Sequence, residues 1–119
     1  MKIITYSDLH LEFGTDFKPP MYSDADLMIL SGDIITFRDY LHLSEFLEMW
    51  RKPVLYVAGN HEYYGATSPI AEENKKFKLW LADNHSNVIF LNDEEASIGG
   101  VHFSVALCGL ISTMPMQVL

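Results

Sequence analysis

The run Val54–Glu62, V-L-Y-V-A-G-N-H-E, decides how the chain is read. Val54–Ala58 is apolar without interruption, which suits a strand covered on both faces. Gly59 breaks it, and Asn60, His61 and Glu62 follow at once. An amide, an imidazole and a carboxylate thus sit at a strand exit. Ligands of open α/β sheets bind outside the carboxyl ends of the strands. Two further runs repeat the arrangement upstream. Lys2–Tyr6 (K-I-I-T-Y) precedes Asp8-Leu9-His10, and Leu27–Ser31 (L-M-I-L-S) precedes Gly32-Asp33. One polar cluster after one strand is an ordinary turn. Three that deliver carboxylate, imidazole and amide to one sheet edge form a site.

Between the second and third runs, Leu43, Phe46, Leu47 and Trp50 recur at helical spacing, which predicts a helix within Arg38–Arg51, ending before Pro53. A second helix is predicted to start at Ser68–Pro69, a serine cap before a proline. Glu72 and Glu73 then suit its positive end, and Phe77, Trp80 and Leu81 give it an apolar stripe. Val88–Leu91 reads as a strand. Ala96–Ile98 and Val101–Leu107 flank Gly99-Gly100, a two-residue hairpin signal. The predicted class is α/β, a mixed sheet flanked by helices, parallel at its start and antiparallel at its end.

Composition limits the alternatives. The chain has 119 residues, one domain's worth, with 49% hydrophobic and 13% aromatic residues, too many for disorder. A net charge of −8 argues against a nucleic-acid-binding face, because phosphates would be repelled. The single cysteine, Cys108, cannot form an intramolecular disulfide, and the apolar run before Asp8 is too short for a signal peptide. A cytoplasmic location is the expectation. Val101–Leu119 lacks charge but is broken by His102, Ser104, Ser112, Thr113, Pro115 and Gln117, so no membrane span is expected.

The donors themselves suggest a metal. Asp8 and Asp33 offer hard oxygens, His10 a neutral nitrogen and Asn60 an uncharged carbonyl. Mixed O/N ligation suits Mn, Fe, Zn or Mg rather than a soft thiolate metal. His61 can reach a leaving-group oxygen as a general acid, and a nearby Glu62 would favour its imidazolium form. Tyr63-Tyr64-Gly65, after the motif, either lines a pocket or packs as a loop.

D-L-H, G-D and G-N-H-E in this order resemble the calcineurin-like metallophosphoesterases, over residues 1 to about 107. The resemblance implies the N-terminal half of a four-layered α/β/β/α sandwich with two divalent ions. By the same resemblance Asp8 and His10 bind the first ion, Asp33 bridges both, and Asn60 binds the second. His61 is implied as general acid or phosphate-stabilising group, with Glu62 orienting it. The implied reaction is hydrolysis of a phosphomonoester or phosphodiester by metal-bound hydroxide.

The family continues with a further metal-binding histidine and a G-H-x-H block, which this chain lacks. His42, His85 and His102 do not stand in that context. Residues 108–119 read as an atypical uncharged tail after a partial domain, 1–107. Where the family has a segment like G-x-T-L-W-T-D, the chain reads S-V-A-L-C-G-L-I-S-T, and a frame change near Phe103 is the expected cause. Two expectations follow. Activity is impaired, with a non-catalytic metal-binding or protein-interaction fragment as the alternative. An apolar sheet face is left bare, through which the chain self-associates.

Overall fold

A computed structural model describes residues 2–11, 24–91, 95–106 and 109–113. Strands β1 (Ile3–Tyr6), β2 (Leu27–Ser31), β3 (Val54–Val57) and β4 (Val88–Leu91) form one sheet in that order, every neighbouring pair parallel. Helices α1 (Leu41–Leu47) and α2 (Ile70–Asn84) lie in the crossovers that parallel pairing requires. A second sheet holds β5 (Glu95–Ile98), β6 (Val101–Ala106) and β7 (Gly109–Thr113), all antiparallel.

The α/β class and the half-sandwich are as expected. The parallel and antiparallel strands, however, occupy two sheets rather than one mixed sheet. The alternation of side chains along each strand explains why both faces are used. Met28, Leu30, Val54, Tyr56, Val88 and Phe90 face the helices and pack with Leu43, Phe46, Leu47, Phe77 and Leu81. Ile3, Leu27, Ile29, Leu55 and Leu91 face the other way and are buried with Val101 and Phe103 of β6. The second sheet thus begins within this chain. On the face expected to be bare, Leu27, Leu55 and Phe103 are all fully buried.

Helix α1 lies within the predicted Arg38–Arg51 stretch and takes up only its middle. The Asp39 carboxylate accepts the Leu41 N–H at 2.9 Å, which fixes its start. After Leu47 the chain tightens, with Glu48 N–H on Glu45 and Trp50 N–H on Leu47, and Trp50 is still buried. Gly109–Thr113, inside the stretch read as a tail, pairs with β6 as β7. None of the described helices is long and apolar enough to cross a membrane.

The Gly99-Gly100 hairpin forms as predicted, with Ile98 opposite Val101 and both glycines at positive φ, 58° and 81°. Nothing stands within 4 Å of a Cβ built on Gly100. A Gly100→Ala substitution therefore meets no collision and carries only the left-handed backbone cost, about 1–2 kcal/mol. An unfolding free energy lowered by that amount in denaturant titration is the expected result.

Candidate metal centre at the carboxyl edge

The three strand exits are laced together by their backbones. The Asp8 N–H donates to the Gly32 carbonyl at 3.0 Å, the His10 N–H to Asp33 at 3.1 Å and the Leu11 N–H to Ile34 at 2.8 Å. The loop carrying Asp8 and His10 therefore runs beside the loop carrying Asp33. Asp8, His10 and Asp33 hold φ of 55°, 46° and 55°, in the left-handed region. Such conformations cost free energy in non-glycine residues and persist where surrounding contacts enforce them.

The third exit joins through side chains. Asp33 Oδ1 accepts the His61 N–H at 2.9 Å. The His10 and His61 rings meet edge to face, centroids 4.5 Å apart, and Tyr64 packs on His61 at 4.9 Å. Asn60 is exposed and opens the 3-10 turn His61–Tyr63, its carbonyl taking the Tyr63 N–H at 3.1 Å. Gly59 has a steric reason to be glycine, since a Cβ there would lie 2.7 Å from Asp33 Oδ1.

Glu62 is fully buried and holds this arrangement from beneath. Oε1 accepts from the N–H groups of Asp33 (2.9 Å) and Gly59 (2.7 Å). Oε2 accepts from the N–H groups of Ile34 (2.8 Å) and Ile35 (3.4 Å) and from the Tyr56 hydroxyl (2.7 Å). Five donors fill the capacity of a carboxylate, about four lone-pair sites with sharing. None of these five donors belongs to His61. Asp33 holds the His61 backbone N–H, and what Glu62 fixes is the β2 exit against the β3 exit.

Burial, then the Glu62 charge, then the hydrogen bond to it push the Tyr56 phenol well above its ordinary pKa of 10.0. The folded chain therefore holds this proton more tightly than the unfolded chain. That contribution is complete below pH 10 and is lost as pH rises through the folded value. Unfolding free energy should fall above about pH 10, and Tyr56→Phe should flatten that fall.

The sequence-predicted residues do not all converge. Asp33, His10 and His61 are in mutual contact through the bonds and rings above. Asp8 is tied in by its backbone, and Asn60 lies exposed on the same edge. Among the described residues no three His, Cys, Asp or Glu side chains form a group able to hold a metal ion. The donor types nonetheless fit a hard divalent cation. Sequence reasoning missed the structural use of Tyr56, although a lone phenol in an aliphatic strand signals a buried hydrogen-bond partner.

An α/β sheet with carboxylates, histidines and an amide at its carboxyl edge defines a class of metal-assisted hydrolase sites. The profile of one such family, the calcineurin-like phosphoesterases, matches residues 1–110, and the chain belongs to that family. No curated protein and no solved structure matches the chain. Members of the family generally bind divalent metals and hydrolyse phosphate esters.

Proposed function

We propose that the chain is a metal-dependent phosphoesterase whose site is built by Asp8, His10, Asp33, Asn60 and His61. The lacing of the three strand exits carries this reading. Hydrogen bonds from the backbone N–H groups of Asp8, His10 and His61 all end on the Gly32–Asp33 loop, which brings the three strand exits to one edge. Asp8, His10, Asp33 and Asn60 would hold divalent ions, two if the site is complete. When bound, these would polarise the phosphoryl oxygens and lower the pKa of water. His61, steadied by Asp33 and by its ring contacts, would give a proton to the leaving-group oxygen.

A second reading has its own observation. The described residues gather no complete metal group, which favours a non-catalytic metal-binding or protein-interaction fragment. Hydrolysis of p-nitrophenyl phosphate and of its bis-ester, with added Mn²⁺, separates the two. Turnover that depends on Mn²⁺ is the expected result. Mn²⁺ binding in calorimetry with no release of p-nitrophenol from either ester would establish the second reading.

A further inference from the structure

We propose that the cavity beside His61 is a leaving-group subsite for a nucleobase, with Glu73 reading the N–H edge of the base and Arg38 its flat face. This rests on the phosphoesterase reading for the words "leaving group" alone. The cavity is about 330 Å³ and lies between the loop after β2, the loop after the G-N-H-E motif and the first turns of α2. Tyr64 lines it and also packs on the His61 ring, so cavity and candidate centre share a wall.

Glu73 borders the cavity yet is only 6% exposed. Among the described residues its carboxylate has no hydrogen-bond or ion-pair partner. It can only accept hydrogen bonds, so a ligand that satisfies it must bring N–H or O–H donors. Lys76, one turn along α2, is exposed and directed to the Ser68 hydroxyl at 3.3 Å.

Arg38 supplies the second half. Its side chain lies against Gly65, where a Cβ would come within 2.9 Å of Cδ and 3.0 Å of Nη1. Gly65, lacking a Cβ and holding φ +72°, leaves room for the Arg38 side chain. A guanidinium is planar and stacks on aromatic rings. Phe37 and Tyr40, ring centroids 6.2 Å apart, add aromatic surface.

These features select among ligands. An ammonium group would meet the repulsion of Arg38 and Lys76. A bare sugar has donors but no flat face for the guanidinium. A cavity near the lower end of the usual ligand range, about 300–1,000 Å³, suits a ring system with its sugar. A heterocycle with neutral amino and ring N–H groups meets all three requirements.

Calorimetric titration of the full chain with guanosine 5′-monophosphate, ribose 5-phosphate and inorganic phosphate tests this. The nucleotide should bind about tenfold or more tighter than ribose 5-phosphate. Glu73→Leu and Arg38→Met should each erase that preference. Glu73→Leu should shift the thermal midpoint little, because its carboxylate has no hydrogen-bond partner to lose and gives up only its place at the positive end of α2. Equal affinity for nucleotide and sugar phosphate, absence of binding by all three probes, or a preference that survives Glu73→Leu overturns the proposal. A preference without hydrolysis of either p-nitrophenyl ester would defeat the phosphoesterase reading alone. Hydrolysis without the preference would defeat the subsite alone.

Discussion

Glu62→Gln should lose about 2–6 kcal/mol of stability, because at least two buried N–H donors lose their acceptor at about 1–3 kcal/mol each. The carboxylate divides its donors between two oxygens. Oε1 serves Asp33 and Gly59, while Oε2 serves Ile34, Ile35 and Tyr56. An amide has one oxygen and one NH₂. Whichever way the Gln amide turns, its NH₂ faces backbone N–H groups and repels them. A domain of this size has only about 5–15 kcal/mol in total, so the loss is a large share. Turnover should fall as well, since Asp33 and the Gly59–His61 segment are what the lost bonds align. Tyr56→Phe is the control. It removes one of five donors and leaves the four N–H groups paired, so it should cost about 1 kcal/mol and spare turnover. Urea denaturation gives the first quantity and Mn²⁺-dependent p-nitrophenol release the second. A Gln variant as stable as the wild type would mean that the buried carboxylate does not hold the loops.

The sequence made the four parallel strands, both helices and the Gly99-Gly100 turn legible, because each has a local signature. Continuous apolar runs mark strands covered on both faces, and a 3.6-residue stripe marks α2. The split into two sheets was not legible. Whether Val101 and Phe103 extend the first sheet or lie across it is a tertiary choice between packing partners, and β-propensity is silent on it. The start of α1 depended on one side-chain bond, from Asp39 to the Leu41 N–H, which helical spacing alone does not reveal. In the site, the identity of the polar residues at strand exits was read directly. Their connections were not. Glu62 looked like a partner for its neighbour His61, yet its buried carboxylate collects the N–H groups of Gly59 and of the loop after β2. The left-handed backbone at Asp8, His10 and Asp33 has a weak sequence signal at best, since Asp and His visit that region more often than most residues.

Asp33→Asn should reduce Mn²⁺-dependent turnover by about 10³-fold while leaving the fold intact. The size follows from the several kcal/mol that a bound ion supplies to transition-state charge, at about 1.4 kcal/mol per tenfold. Asparagine is the informative replacement for three reasons. It retains an oxygen for the His61 N–H, now accepted by Asp33 Oδ1 at 2.9 Å. It tolerates the left-handed φ of 55° that Asp33 holds, where alanine adds about 1–2 kcal/mol of strain. It also has nearly the carboxylate's shape, which matters because Gly59 already lies so close that a Cβ there would reach 2.7 Å from Oδ1. The negative charge and the second acceptor oxygen are what it removes, and these are what a bridge between two cations would use. Turnover and Mn²⁺ binding should therefore fall together, with the urea midpoint close to wild type. Asp33→Ala should lose turnover equally but also stability, since the His61 N–H is left without its acceptor. A near-wild-type rate in the Asn variant would show that the charge of Asp33 is not used, and the bridging role would have to be abandoned even if the chain hydrolyses phosphate esters.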